Sequence, residues 1–150
     1  MVSKKFSQSI DDFDLMDHAG HLLRRAQQIA VAAYAEEVGR ELRPRQFSLL
    51  LAIYQQPGLR QVNLTELIAM DRSTISEIAE RLEKRGLLRK MPDQQDERES
   101  KLYLTEQGER EIEEALPGII EVNRNLLTRL PEHLHAPFIE ALKILANSEA

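Results

Sequence analysis

The sequence predicts a mainly α-helical fold with one small β-hairpin, and two observations support this prediction. Apolar residues recur at three- and four-residue spacing through most of the chain, which is typical of amphipathic helices. Aromatic residues make up only 5% of the sequence and tryptophan is absent, which favours helices over a β-sandwich. Two short segments, 87–91 and 100–104, instead have the pattern of strands.

The composition narrows the class of protein. A chain of 150 residues with 42% hydrophobic residues is expected to form one folded domain. Cysteine is absent, which excludes a disulfide framework and a thiolate metal site. No apolar run approaches the roughly 20 residues of a membrane span, and the two lysines near the N-terminus are not followed by the apolar stretch of a secretory signal. We therefore expect a cytoplasmic protein that has no membrane partner and needs no cofactor.

The first helix is predicted from Asp14 to about Gly39, since a glycine is a plausible stop. Such a helix would be roughly 39 Å long, more than a small domain can cover along one face. A partner chain is a natural way to cover it. The apolar residues that recur along it are Leu15, Ala19, Leu22, Leu23, Ala26, Ile29, Ala30, Ala33 and Tyr34.

Three shorter helices and a hairpin follow. The second helix is predicted from Pro44, which fits a first helical position, to Tyr54. Asn63 is a good N-cap for a short third helix. Asp71, Arg72 and Ser73 form a polar break that opens a fourth helix, which ends at Arg85 before Gly86. The two strands come next.

The C-terminal part is predicted to be helical again. Thr105 caps a long helix in which Pro117 should produce a kink, and Pro131 opens the last helix. Four helices, a hairpin and two helices form the layout of a winged helix-turn-helix. In one domain spanning 1–150, we expect the DNA-binding winged helix at about 44–108 and dimerisation helices at about 10–42 and 110–148.

The charge distribution permits a nucleic-acid partner although the net charge is −5. Residues 43–101 contain eleven of the 20 Lys and Arg residues and nine of the 25 Asp and Glu residues. The rest of the chain contains nine Lys and Arg and sixteen Asp and Glu residues. The middle of the chain is therefore the part that can approach phosphate with least repulsion.

The fourth helix has the two faces of a recognition helix. Ile75, Ile78, Ala79 and Leu82 share one face, and the opposite face holds Ser73, Thr74, Glu77, Arg81 and Lys84, with Ser76 at its edge. Short hydroxyl side chains allow a close approach to the major groove. Arg72, Ser73 and Thr74 lie where free N–H groups favour a phosphate. The alternative is a capped surface helix with a solvated Arg81.

The hairpin tip carries Asp93, Asp96 and Arg98. An arginine at the end of a wing can enter the narrow minor groove, and we expect Asp96 to be the acceptor that orients it. An ordinary charged β-turn is the alternative.

The chain resembles the MarR family of bacterial transcription regulators. The resemblance is carried by Gln46-Phe47, Pro57-Gly58, Asp71-Arg72-Ser73-Thr74, the run from Leu82 to Leu87, Asp93…Asp96-x-Arg98 and Leu104-Thr105-x-x-Gly108. It implies a homodimer on a palindromic promoter site, where binding is usually repressive and is released by a small, often aromatic, molecule. The sequence contains no recognisable enzyme motif, so we expect a regulator rather than an enzyme.

The resemblance also implies which residues contact DNA. Ser73, Thr74, Ser76 and Arg81 match the recognition-helix positions, and Asp96 and Arg98 match the wing pair. Glu77 and Glu99 depart from the family pattern. Relatives often have a basic or small residue at the position of Glu77, and Glu99 adjoins the wing arginine, Arg98. The predicted DNA-binding set is Arg72, Ser73, Thr74, Ser76, Glu77, Arg81, Lys84, Asp96 and Arg98.

Relatives place their ligands in a cleft between the first, second and fifth helices. The predicted effector-binding residues are His21, Arg24, Arg25, Gln28 and Phe47, with Leu22 and Ile29 as apolar wall. Arginines beside an apolar wall suit an aromatic carboxylate or an acyl-CoA, and the segment HLLRRAQQ resembles regulators that respond to hydroxycinnamoyl-CoA or related acids. The alternative is that these arginines are simply solvated.

Two further alternatives remain open. Asp17, His18 and His21 lie within one helical turn and could supply two ligands to zinc, as in some relatives, although no third ligand is evident. A winged helix can also serve protein contacts alone, in which case it would have no salt-dependent DNA affinity.

Overall fold

The computed structural model describes residues 9–148 and is mainly helical with a small three-stranded sheet, as predicted. Residues 1–8, part of the segment expected not to be a secretory signal, and residues 149–150 lie outside the described residues. The elements in chain order are α1 (Ala19–Glu37), α2 (Pro44–Gln55), β1 (Leu59–Arg60), α3 (Gln61–Leu67), α4 (Arg72–Lys84), β2 (Leu88–Pro92), β3 (Ser100–Leu104), α5 (Glu106–Leu127) and α6 (His135–Ala146). Within 9–148, no helix combines the length and apolar character needed to span a membrane.

The first helix begins later than predicted. Two 3-10 turns, Ile10–Asp12 and Leu15–Asp17, precede it. The prediction of a start at Asp14 is wrong because polar side chains interrupt the helix twice: Asp14 accepts the N–H of Met16 at 2.9 Å, and Nδ1 of His18 accepts the N–H of His21 at 2.8 Å. With 19 residues, α1 is about 28 Å long.

The third helix and the sheet also differ from the prediction. Helix α3 starts at Gln61, so Asn63 lies inside the helix and is not its N-cap. The residue pair before it, β1, adds a third strand to the hairpin through the antiparallel pairing of Leu59 with Leu102. The strand order is therefore β1-β3-β2. Two residues are too few to produce a recognisable alternation, which is why the sequence did not indicate this strand.

The core lies where α2, α4 and the sheet meet. Helix α2 is its centre, and one face of α4 packs against it. The side chains that are fully buried are Leu49, Leu50, Ile53, Leu64, Ile75, Leu82, Leu87, Leu88 and Leu102. Their burial fixes the orientation of α4 and leaves its other face in solvent.

One compact junction joins α4, the wing and α5. As predicted, Thr105 caps α5: its Oγ1 accepts the N–H of Gly108 at 3.0 Å, and it donates to the carbonyl of Gly86 at 2.6 Å. A Cβ at Gly108 would lie 2.0 Å from the carbonyl oxygen of Leu87. Only glycine allows α5 to start this close to the end of α4.

The long helices α1 and α5 pack against each other. Helix α5 continues through Pro117 to Leu127, and the predicted kink stays a prediction. A Cβ at Gly118 would lie 2.6 Å from the carbonyl oxygen of Glu37, so the two helices approach closely there. The amide of Asn125 donates to the carboxylate of Glu37 at 2.9 Å.

The last helix is nearly isolated from the rest of the chain. It starts at His135 rather than at Pro131, which instead precedes the 3-10 turn Glu132–Leu134. Helix α6 buries none of its residues. Its large apolar side chains that remain exposed are Phe138, Leu142, Ile144 and Leu145.

Candidate functional site

Helix α4 has the two faces that its sequence predicts. Ile75, Ala79 and Leu82 are completely buried, and Ile78 is half-buried. Thr74 is half-buried, and the solvent face carries Arg72, Ser73, Ser76, Glu77, Arg81 and Lys84. The helix therefore presents a row of polar side chains on a rigid support.

The start of α4 is capped by Asp71. Its carboxylate accepts the N–H of Thr74 at 2.8 Å and the hydroxyls of Ser73 and Thr74, each at 2.6 Å. These hydrogen bonds, that of Ser73 foremost, hold the pKa of Asp71 well below its ordinary value. The start of this helix was predicted to bind a phosphate through free N–H groups. That prediction is wrong for Thr74, because its N–H already donates to the carboxylate of Asp71. The hydroxyl oxygens keep lone pairs that can accept hydrogen bonds from a base.

Two cations of the exposed face are paired along the helix. Arg81 donates to the carboxylate of Glu77, and Nζ of Lys84 lies 3.0 Å from Glu80, both at i,i+4 spacing. All four side chains are about 60–75% exposed, and exposed pairs of this kind contribute little to stability. The pairs can therefore open at low cost. Glu77, a departure from the family pattern, is the partner of Arg81.

A salt bridge connects the start of α4 with the wing. Nη2 of Arg72 lies 3.0 Å from Oε1 of Glu99, whose side chain is 13% exposed. Glu99 is next to Arg98 in the sequence, but its carboxylate pairs with Arg72. The two partners are 27 residues apart, and no local sequence signal indicates a contact over such a distance.

The wing arginine is held by the acceptor that was predicted. Nε and Nη2 of Arg98 donate to the two carboxylate oxygens of Asp96 at 3.1 and 3.3 Å. The hydrogen bond from the Arg98 side chain is the main reason why the pKa of Asp96 is lowered. The Arg98 side chain remains 89% exposed. The contact is confirmed, and the role of both residues in DNA binding stays a prediction.

Asp93 does not belong to the exposed tip. It is 3% exposed, and its carboxylate lies 3.6 Å from Arg60 and 4.0 Å from Lys101. It also accepts the N–H of Gln95 at 3.0 Å. The placement of Asp93 at the tip is therefore wrong. Its carboxylate contacts two cations and a turn N–H, and it stabilises the base of the loop between β2 and β3.

Four predicted effector-binding residues line one open groove. The groove has a volume of about 410 Å³ and is lined by His21, Arg24, Arg25, Gln28, Ile29 and Ala32. Burial, followed by the charges of Arg24, Arg25 and His18, lowers the pKa of His21 from its ordinary value, which favours the neutral imidazole. Neither arginine is paired with a carboxylate among residues 9–148.

Phe47 is not part of this groove. It is 7% exposed and belongs to the core around α2, so its side chain is occupied by packing and its assignment to the groove is wrong. A second groove of about 410 Å³ between α1 and α5 shares Ile29 and Ala32 with the first. It adds Asn125 from α5, the C-cap residue Thr128 and the following Arg129. These residues lie about 100 positions away in sequence and carry no local motif.

The histidines of α1 do not form a metal site. Among residues 9–148, no group of three or more His, Cys, Asp or Glu side chains is placed to hold an ion. Nδ1 of His18 is occupied by the N–H of His21. The zinc alternative therefore has no ligand set in this part of the chain.

Comparison with known proteins identifies the family. The MarR family model matches residues 42–100, which include α2, the helix-turn-helix and most of the wing. The transcriptional regulator HosA of Escherichia coli is 31% identical over 134 residues, covering 89% of this chain and 98% of HosA. The chain belongs to the MarR family. Its relatives are transcription regulators rather than enzymes, as predicted.

Solved structures agree with the MarR assignment over about nine-tenths of the chain. The PcaV regulator of Streptomyces coelicolor, in complex with its natural ligand, is 37% identical with a TM-score of 0.86, covering 90% of this chain and 96% of PcaV. BpsR of Bordetella bronchiseptica, whose DNA binding is regulated by 6-hydroxynicotinic acid, is 27% identical with a TM-score of 0.86, covering 91% and 99%. The winged-helix fold is therefore confirmed.

The capping carboxylate of α4 predicts a pH dependence of stability. Because the pKa of Asp71 is lower in the folded chain than its ordinary value of 3.8, its contribution is complete above that value and is lost as pH falls through the folded pKa. Asp71→Asn should lower the free energy of unfolding at about pH 7, and the difference from wild type should shrink below pH 3.8. Urea titrations at several pH values measure both.

Glu113→Gln is the matched control, since Glu113 is exposed on α5 and the substitution removes the same charge. A loss of stability in Asp71→Asn that is the same at all pH values, or that the control reproduces, would contradict the proposed role of the cap.

Proposed function

We propose that the chain is a ligand-responsive transcription regulator that binds a palindromic operator as a homodimer and is released by a small aromatic acid. One observation supports the DNA-binding part above all others. The Arg72–Glu99 contact places the start of the exposed α4 face beside the wing, so a recognition helix and an arginine-bearing wing form one surface. A helix of this kind fits the major groove, and a wing reaches the adjacent minor groove.

Each residue of that surface has a role that its chemistry suits. Ser73, Thr74 and Ser76 accept or donate hydrogen bonds at base edges, and Glu77 accepts from a cytosine amino group when Arg81 turns to the DNA. Arg72 and Lys84 contact phosphates through their guanidinium and ammonium groups. Arg98 enters the minor groove, where Asp96 keeps its guanidinium extended.

A second copy of the chain is the partner that α6 requires. A 12-residue helix that buries none of its side chains is only marginally stable in water on its own. Large apolar side chains remain exposed on both α6 and α1, and exposed apolar patches mark interaction sites. Two copies joined there would offer two recognition helices to successive turns of a palindromic site.

The groove on α1 is the proposed effector site. Arg24 and Arg25 lack carboxylate partners and can bind the carboxylate of an aromatic acid, while Ile29 and Ala32 cover its ring. A neutral His21 can hydrogen-bond a ring hydroxyl. The presence of a ligand in PcaV and the response of BpsR to 6-hydroxynicotinic acid support this class of effector.

The wing is tested by Arg98→Ala. Operator sites are first selected from random duplexes with the wild-type protein. The variant should bind the selected duplex more weakly by about 1–3 kcal/mol, which is roughly 5- to 150-fold, because its side chain no longer reaches the minor groove. Fluorescence anisotropy measures the change. Arg124→Ala, which removes an exposed arginine of α5, is the control and should bind like wild type. Equal affinities of both variants would disprove the wing assignment.

The same assay distinguishes a DNA-binding protein from a winged helix that serves only protein contacts. A DNA reader loses affinity steeply as salt rises, because counterions are released on binding. A wild-type protein that selects no duplex and shows no salt-dependent binding would favour the module instead.

The dimer is tested by Leu142→Glu. A charge on the apolar face of α6 should convert the dimer to a monomer and abolish most of its operator affinity, since one half-site alone binds weakly. Sedimentation equilibrium measures the mass. The control is Leu67→Glu, which places the same charge at an exposed leucine of α3. A Leu142→Glu protein that remains dimeric would show that the interface lies elsewhere.

The effector site is tested by thermal shift with benzoate, hydroxybenzoates, hydroxycinnamates and 6-hydroxynicotinate. A ligand at about 100 times its Kd stabilises the fold by about 2.7 kcal/mol, which corresponds to on the order of 5–10 °C in Tm. The pair Arg24→Ala with Arg25→Ala should abolish this shift. The pair Arg110→Ala with Arg124→Ala, both exposed on α5, should keep it. A shift that survives removal of the Arg24 and Arg25 side chains would exclude the groove.

A further inference from the structure

A basic cleft lies beside the recognition helix. It has a volume of about 560 Å³ and lies between the α1–α2 loop, the start of α2 and the end of α4. Its lining is five cations, one carboxylate and one amide: Arg40, Arg43, Arg81, Lys84, Arg85, Glu41 and Gln46. In a chain with a net charge of −5, so many cations around one concave surface indicate a negatively charged partner.

Two of the five cations are not neutralised. Arg85 bridges the carbonyl of Glu41 and the carboxylate of Glu111, and Arg81 and Lys84 are paired along α4. Arg40 and Arg43 are exposed and have no ion pair within residues 9–148. Both residues line the cleft together with Arg81, Lys84 and Arg85 at the end of α4.

The cleft is continuous with the proposed DNA surface. Arg81 and Lys84 lie on the exposed face of α4 and also form one wall of the cleft. A duplex whose major groove receives α4 therefore brings a backbone strand past this wall. The opposite wall, formed by Arg40 and Arg43, belongs to the loop before α2 and to its N-cap.

We propose that this cleft binds the phosphate backbone beside the major groove, outside the bases that α4 reads, with Arg40 and Arg43 as the phosphate-contacting residues. The inference rests on the proposed DNA binding and adds a contact that neither the recognition helix nor the wing provides. Backbone contacts position a protein on the duplex and add affinity without sequence preference. The cleft would therefore strengthen binding to selected and unrelated DNA alike.

The test compares two pairs of substitutions that remove the same charge. Arg40→Gln with Arg43→Gln removes the two free guanidinium groups and keeps the backbone hydrogen bond from Arg43 N–H to Gln46 at 3.0 Å. The control pair is Arg45→Gln with Arg110→Gln, two exposed arginines that do not line the cleft. Affinity for the selected and for a scrambled duplex is measured from low to high salt.

The first pair should bind both duplexes at least about fivefold more weakly than the control pair and leave their ratio unchanged. The slope of log K against log salt should fall by about 0.9 for each phosphate that the protein no longer neutralises, about 3.6 for four phosphates per dimer. Affinities and slopes equal to those of the control pair would overturn the inference while the proposed function stands. A weakening confined to the selected duplex would also overturn it, since it would indicate base reading. A wild-type protein that binds neither duplex would overturn the proposed function and the inference with it.

Discussion

The close approach of Gly108 to the carbonyl of Leu87 is the contact on which the arrangement of this molecule depends. It brings together the end of the recognition helix, the first wing strand and the start of α5, and a single added carbon would meet a backbone oxygen at 2.0 Å. The hydrogen bonds of Thr105 close the same junction. Because backbone atoms rather than flexible side chains meet here, α4, the wing and α5 hold one fixed geometry. A second close approach, Gly118 against Glu37, joins the other part of α5 to α1. Helix α5 therefore contacts the winged helix near its start and packs against α1 further along, where Asn125 also lines the second groove.

The electrostatics explain how an acidic chain can carry a surface for DNA. The cations of the surface, Arg72, Arg81 and Lys84, each have a carboxylate partner. Two of these pairs are exposed, and their mutual attraction in water is small, so a phosphate or a base edge can replace the carboxylate at little cost. The Arg72–Glu99 pair differs because Glu99 is mostly buried and joins two elements. Such pairing lowers the attraction to any DNA that offers phosphates alone and makes the correct base contacts a larger share of the binding energy.

The sequence predicts those parts of the structure whose cause is local. The amphipathic spacing of α4, the position of Pro44 at the start of α2, the cap by Thr105 and the Asp96–Arg98 contact each involve residues a few positions apart. The errors have non-local or competing causes. The N-caps Asp14 and His18 interrupt the helix, although the apolar periodicity of the sequence continues through both positions. Phe47 was predicted to line the effector pocket, but its side chain is buried in the core around α2. Glu99 and Asn125 meet their partners, Arg72 and Glu37, only after the chain has folded.

The exposed apolar faces of α1 and α6 give the proposed second copy a role in stability as well as in DNA binding. A helix gains most of its stability in water from packing an apolar face, and α6 packs none of its side chains within the chain. The leucines and the phenylalanine on that helix would remain hydrated in a monomer, and so would Leu22 and Leu23 of α1. Burial between two copies removes this cost for both chains at once, because a two-fold interface uses the same residues twice. The groove proposed for the effector is on α1, next to the proposed interface. An acid bound there would change the packing of a helix that both copies contribute to that interface. Ligand and DNA would then act on one shared equilibrium, and each would lower the affinity for the other by the same factor.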